Sequence, residues 1–481
     1  MANLKALAKD TAIYGLSSIV GRFLNYLLVP LYTHVISAAS GGYGVVTNLY
    51  AYTALLLVVL TFGMETTFFR FMNDEKEEHD TVFSVAFGVI ALLTSVFLGL
   101  VFGFSSSVSS ALGYADNPEY VQLMASVVAL DALQALPFCH LRYQHKAMRF
   151  ASLKLLFIAM NIGLNLLFFL VLGYRDVLWV FALNLVCTGV ITFFFIPDVL
   201  RIRWKFDWGL LRRMLSYSWP ILVLGIMGIL NQAADKMIFT LVYPDASVAK
   251  VELGIYGSCV KVAMIMAMIT QAFRYAYEPI VFAKSKDSDK AEYYALGMKY
   301  FVIFTLLAFL AVMGYLPLLR YMVGSDYWAG LRVIPIVMAA EIMMGIYFNL
   351  SFWYKLIDKT YYGALFSMAG CIVLLAVNLW GIPRYSYMAC AWGGFAGYGT
   401  AMLLSYIVGQ RLYPIPYPLR SLAGYTAIAG AFYGAMTLVP SEWSMWQYLA
   451  ISTLLILAFA AIIYCKELRR KHTPEDIQKN G

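Results

Sequence analysis

The chain has 481 residues, 62% of them hydrophobic and only 13% charged, against about 45–50% and 25% in soluble domains. A water-soluble globule of this composition would carry an oily exterior, so the bilayer is the solvent it requires, and a soluble enzyme, a base-reading nucleic-acid protein and a disulfide scaffold are excluded. The net charge of +8 follows from Lys and Arg gathered on one membrane face beside anionic lipid, and so gives no indication of nucleic acid.

A membrane-spanning helix takes about 20 apolar residues. Read from the N-terminus, the apolar runs predict fourteen spans, near 11–36, 43–69, 81–103, 119–141, 150–172, 177–198, 215–243, 252–278, 297–319, 331–354, 361–380, 386–409, 421–440 and 445–465. The first run is too long for the core of a signal peptide and leads directly into further spans, so it is expected to be retained. With the N-terminus in the cytoplasm, the inner segments hold the basic clusters Arg142, Lys146, Arg149 and Lys154; Arg201, Arg203, Lys205, Arg212 and Arg213; Lys284, Lys286, Lys290 and Lys299; and the C-terminal tail. Outer segments hold only Arg175, Lys250, Arg320, Arg332 and Arg384. That bias predicts an even number of crossings with both termini cytoplasmic. The stretches 201–213 and 281–299 are expected to form amphipathic helices on the inner surface.

Several functions are excluded by what the loops lack. No Gly-x-x-x-x-Gly-Lys-Ser/Thr loop occurs, so transport would be driven by ions and not by ATP hydrolysed in that way. No loop is long enough to hold a soluble domain, and His34, His79, His140, His145 and His472 lie at span ends, in loops or in the tail. An intramembrane acid–base enzyme is therefore the least favoured reading, with no catalytic residue assigned. The six cysteines show no ligand spacing and read as buried thiols, so neither a metal nor a cofactor is expected. Gly393, Gly394, Gly397 and Gly399, like the pairs Gly99/Gly103 and Gly430/Gly434, read as close helix packing. Asn349-Leu350-Ser351 matches a glycosylation acceptor but falls within the tenth span, where it is disregarded.

Tyr43-Gly44 and Tyr256-Gly257 each open an outward-to-inward span, 213 residues apart. The same offset pairs Arg22 with Asp235 and Glu65 with Glu278. Six helices per half would give a parallel repeat. The expected architecture is an all-α polytopic membrane protein, with two six-helix bundles (1–212 and 213–412) around a central cavity and two further spans with a tail (413–481).

An ionised side chain at the bilayer centre costs about 2.5–3.5 kcal/mol, so Arg22, Glu65, Asp131, Asp235, Lys236, Lys261, Arg274 and Glu341 must face water or one another. Tyr14, Ser18, Arg22, Asn25 and Tyr26 make one stripe on the first span. Asn231 and Asp235 share a face of the seventh span, beside Gln232 and Lys236. Lys261, Met264, Met268, Gln271 and Tyr275 form a stripe on the eighth, with Arg274 alongside and Glu278 one turn further. Cations facing a wet cavity suit an anionic substrate. On that reading Arg22, Asn25, Lys261 and Arg274 are the candidate phosphate-binding residues, and Asp235, Lys236, Glu341 and Glu65 the candidate ion-coupling or charge-pairing ones. Asp131 reads as a helix–helix hydrogen-bonding group.

These residues carry a resemblance. Gly21-Arg22 and Asn25 leading to Pro30-Leu31-Tyr32-Thr33-His34, a small-residue turn, Tyr43-Gly44, and a long helix ending at Phe69-Arg70-Phe71 resemble the oligosaccharide flippase (Wzx-type) branch of the multidrug/oligosaccharidyl-lipid/polysaccharide exporter superfamily. The resemblance implies alternating-access transport of undecaprenyl-diphosphate-linked sugar units across the bacterial cytoplasmic membrane. The implied partners are that lipid-linked oligosaccharide, membrane lipids, and the polymerase and glycosyltransferases of surface polysaccharide synthesis. Lipid II flippases are the alternative; this chain departs from their pattern in having a single arginine in the first span. Drug/cation antiporters of the superfamily suit an anion-favouring cavity less well.

Overall fold

In hydrocarbon every backbone N–H and C=O must find its partner within the segment, which leaves the helix as the solution for each of these apolar runs. The computed structural model describes Tyr26 and residues 28–283, 290–440 and 442–471, and within these the chain is helical, with no strand. The principal helices are α1 (Leu28–Val35), α2 (Gly42–Thr61), α3 (Met64–Met72), α4 (His79–Gly103), α5 (Pro118–Tyr143), α6 (Ala147–Leu166), α7 (Leu178–Leu200), α8 (Trp208–Val242), α9 (Ala246–Ala283), α10 (Lys290–Gly314), α11 (Ile334–Leu350), α12 (Tyr361–Tyr385), α13 (Tyr387–Leu412), α14 (Leu419–Thr437) and α15 (Met445–Lys471).

Among the described residues eleven helical segments are long and apolar enough to cross a membrane, which makes this a multi-pass membrane protein. α2 and α3 form one of them, broken where Phe62 and Gly63 take φ of 51° and 67°. α13 and α14 occupy the positions of the predicted twelfth and thirteenth spans without being among the eleven, and most of the predicted first span lies outside the described residues.

The chain divides into two compact units, residues 1–258 with 375–390, and 259–374 with 391–481. In the first, α5 packs against α2, α4 and α7, and α8 against α2 and α3. Met64, Phe68, Val82, Ile90, Val128, Leu136 and Met214 are buried where α3, α4, α5 and α8 meet. The first turns of α9 cross α2 at very short range: a Cβ on Gly44 would lie 1.8 Å from the Lys250 carbonyl oxygen, and one on Gly257 would lie 2.3 Å from Thr47 Oγ1. The two Tyr-Gly pairs therefore mark reciprocal positions of one crossing that only glycine allows.

In the second unit α10 packs against α11, α14 and α15. Lys299 on α10, only 4% exposed, pairs with Glu467 of α15, whose other carboxylate oxygen accepts from Tyr425 of α14. α12 and α13 meet at Gly370 and Gly397, each of whose Cβ positions would fall within 2.8 Å of the other's carbonyl oxygen.

Other expectations are corrected. The inner-surface helix predicted over 201–213 is absent from its first half: 203–207 carries no regular secondary structure, its last residue Asp207 has extended backbone angles, and α8 begins at Trp208 under an Asp207 cap whose Oδ1 accepts from Gly209 N at 2.7 Å. The alternation of Trp204, Phe206 and Trp208 with charged residues is a two-residue period, which fits an extended segment. Gly99, Gly103, Gly430 and Gly434 face open space, and so does Gly394, so these are not packing contacts. Five cysteines are buried as expected, whereas Cys465 is exposed.

Candidate functional site

The last turns of α9 place Thr270, Phe273, Arg274, Tyr277 and Glu278 three and four residues apart, hence on one side of the helix. Opposite them α11 presents Gly345, Phe348 and Asn349, continued by Phe352 and Lys355 in the short helix Phe352–Leu356. Between them lies a narrow cleft, part of it open to solvent. Gly345 permits the close approach of its neighbours: a Cβ there would lie 2.2 Å from Phe301 Cζ and 3.0 Å from Thr270 Oγ1.

The charges at this cleft do not cancel. Lys355 Nζ lies 2.9 Å from Glu278 Oε1, and Arg274 Nε lies 3.8 Å from Oε2 of the same carboxylate. The second distance is an ion pair without a hydrogen bond, and Arg274 Nε is buried with no hydrogen-bond partner among the described residues. The guanidinium carbon stands 5.1 Å from the centroid of Phe348, and the Lys355 ammonium 5.3 Å from that of Phe352, so both cations rest on aromatic rings. Among the described residues, one carboxylate between two cations leaves an excess of one positive charge. Thr270 Oγ1 and Asn349 Oδ1, on side chains only 4% and 7% exposed, are also without a partner among the described residues and line the same cleft. The arrangement is fitted to receive an anionic group bearing hydrogen-bonding oxygens.

A second charged neighbourhood lies in the first unit. Asp235 on α8 is buried and receives three hydrogen bonds: both oxygens lie 2.9 Å from Lys236 Nζ, and Tyr256 Oη donates to Oδ2 at 2.7 Å. The ammonium also donates to the Gln232 carbonyl at 3.1 Å. The Lys236 carbonyl is tied in turn, since Asn48 Nδ2 donates to it at 2.7 Å and Tyr114 Oη donates to Asn48 Oδ1 at 2.8 Å. This pair is internally neutral and well satisfied, unlike the cleft beside Arg274.

The structure thus brings Asp235 and Lys236 together and places Arg274 in a charged cluster. Arg22 and Asn25 lie outside the described residues. Lys261 on α9 and Glu341 on α11 are both half-buried in the second unit. Glu65 keeps different company: it is exposed on α3, where Cys139 Sγ–H donates to its Oε2 at 3.8 Å. Sequence reasoning misses Lys355, whose charge is absorbed into the inner-face bias. It notes Glu278 without giving it a role, although the i,i+4 spacing from Arg274 is the available signal. Asn349, set aside with its acceptor motif, lines the cleft.

A family model described as "Polysaccharide biosynthesis protein" matches residues 39–330. Among solved structures the chain resembles a lipid II flippase MurJ in an inward closed conformation, with TM-score 0.76, 15% identity, and 95% of this chain and 99% of that one covered. It also resembles an inward-facing multidrug resistance MATE family transporter of the MOP superfamily, with TM-score 0.65, 13% identity, and 84% and 97% covered. The outward-facing conformation of a multidrug resistance MATE family transporter gives TM-score 0.55, 13% identity, and 85% and 96% covered. At these identities the likeness establishes a shared fold. No curated protein matches the sequence significantly.

Proposed function

The chain belongs to the polysaccharide biosynthesis protein family, and from that premise we propose that it is a flippase and not an enzyme. Its proposed substrate is an undecaprenyl-diphosphate-linked oligosaccharide for surface polysaccharide, moved from the cytoplasmic to the outer leaflet by alternating access. The observation that carries this reading is the excess positive charge beside Arg274. A guanidinium with an Nε–H uncommitted among the described residues, at the end of a segment long and apolar enough to cross a membrane (Ala246–Arg274), supports a role in meeting a lipid headgroup. A diphosphate supplies the missing acceptors, and an arginine binds it more specifically than a point charge would.

In this reading Arg274 and Lys355 receive the diphosphate, with Arg22, Asn25 and Lys261 as the further headgroup residues. Asp235, Lys236, Glu341 and Glu65 are the candidate coupling groups for an ion gradient. The two six-helix bundles, the appended hairpin, fourteen crossings, cytoplasmic termini and the bacterial inner membrane complete the proposal. Sugar polymerase and glycosyltransferases are its proposed functional partners. Lipid II as the substrate is the second reading, favoured by the likeness to a lipid II flippase over nearly the whole chain. Purified protein in liposomes separates these: the flippase reading requires a lipid-linked saccharide to change leaflet without changing mass. Preference for a surface-polymer precursor over lipid II decides between the substrates.

A further inference from the structure

The non-helical connector between α7 and α8 has a property that sugar transport does not explain. Trp204, Phe206 and Trp208 alternate with Arg203, Lys205 and Asp207, and the three aromatic rings are 51%, 53% and 76% exposed. Their positions are nevertheless defined. Trp204 meets Phe87 edge-on at 5.7 Å, Phe206 meets Trp208 at 5.0 Å, and Phe206 Cε2 covers Gly88, so the rings are seated on the early turns of α4 with half or more of their surface left open. Amphipathic aromatic rings at the end of a span belong at the headgroup level.

The charges are sorted in a similar way. The acidic loop before α4 claims two of the five cations: Lys205 Nζ lies 2.7 Å from Glu78 Oε1, and Arg213 Nη1 lies 2.6 Å from Glu77 Oε1. The Lys205 backbone N–H also donates to Ser84 Oγ at 3.3 Å, which pins the connector in place. Arg201, Arg203 and Arg212 make no ion pair among the described residues. Three arginines therefore flank the row of exposed aromatic residues in sequence, Arg201 and Arg203 before it and Arg212 one turn into α8; of these Arg203 also bears electrostatically on Glu78.

We propose that this connector is a binding site for the headgroup of an anionic phospholipid of the surrounding membrane. Arg201, Arg203 and Arg212 take the phosphate, and Trp204, Phe206 and Trp208 lie against the acyl boundary. Charge complementarity favours this occupant: arginine forks match phosphate oxygens, and the exposed rings match the glycerol and upper acyl region. The site is distinct from the cleft beside Arg274 and does not depend on which saccharide is carried.

The test uses the detergent-solubilised full chain titrated with phosphatidylglycerol or phosphatidylcholine and read by native mass spectrometry. Wild-type protein is expected to retain phosphatidylglycerol selectively. The triple variant R201Q/R203Q/R212Q, checked for unchanged thermal unfolding, is expected to bind it roughly tenfold or more weakly. The single variants R201Q and R203Q give intermediate losses and keep the test informative should the triple variant fail to fold. Equal retention of the two lipids by wild type, or unchanged retention by the variants, overturns the proposal. Inorganic diphosphate is expected to leave bound phosphatidylglycerol in place; its displacement would assign the arginines to the substrate phosphate and overturn the proposal as well.

Discussion

Lys355 Nζ and Glu278 Oε1 lie 2.9 Å apart, so the carboxylate that stands one turn beyond Arg274 is already engaged by a lysine from the segment following α11. Arg274 therefore shares a charge partner and does not own one. Replacing it with alanine should weaken binding of a lipid diphosphate by roughly 10- to 100-fold, the loss of one charge-assisted hydrogen bond to a charged group. Arg274→Lys should recover part of this, since the charge returns without the fork. Retention of labelled undecaprenyl diphosphate by purified protein measures both.

Glu278→Gln tests the same cluster with the opposite sign. It removes the carboxylate that, among the described residues, lies between Arg274 and Lys355, so diphosphate retention should rise while Arg274→Ala lowers it. Equal losses from both substitutions would show that the cluster supports the fold and does not bind an anion.

At the crossing of α2 and α9, Gly44→Ala would drive a methyl group to 1.8 Å from the Lys250 carbonyl oxygen. Backbone cannot yield as a long side chain can, so a loss of about 1–3 kcal/mol or more is expected. Thermal unfolding in detergent should show a lower midpoint, whereas Gly99→Ala, which meets open space, should leave it unchanged.

The clamp of Lys299, Glu467 and Tyr425 ties α14 and α15 to α10. Glu467→Gln leaves a buried ammonium unpaired and should cost about 3–5 kcal/mol, while Lys299→Met combined with Glu467→Leu should cost less. Thermal unfolding of the single and double variants makes the comparison.

Acid should loosen the connector of α7 and α8. The Lys205 ammonium, through its hydrogen bond and charge, holds the Glu78 carboxyl below its ordinary range. A carboxylate with a depressed folded pKa stabilises the pair above its unfolded pKa and loses that contribution as pH falls through the folded value. The protection of the Lys205 amide, taken relative to the intrinsic exchange rate at each pH, should hold at neutral pH and fall below the usual carboxylate range, and Lys205→Met should abolish that loss.

The helical, membrane-crossing architecture is legible in the sequence because hydrocarbon permits few alternatives, and run length and polarity alone identify the segments. The Tyr-Gly pairs are visible there as a spaced motif, while the crossing they form is not. Which charges meet is equally hidden. Asp235 and Lys236 are adjacent in sequence, yet Tyr256, which completes that group, comes from another helix. Lys355 reaches Glu278 across 77 residues, a distance that no periodicity encodes. The segment at 203–207 misleads because a basic, aromatic-rich stretch beside a membrane fits a helix or an extended connector equally well until its two-residue alternation is given weight.

Leaflet-resolved transport in liposomes tests the central claim most directly. Protein reconstituted with a labelled undecaprenyl-diphosphate-linked saccharide should move it between leaflets with its mass unchanged, and Arg274→Ala, inserted at equal density, should lose most of that rate. A chemically altered saccharide, or transport undiminished in the Arg274→Ala protein, would contradict the account.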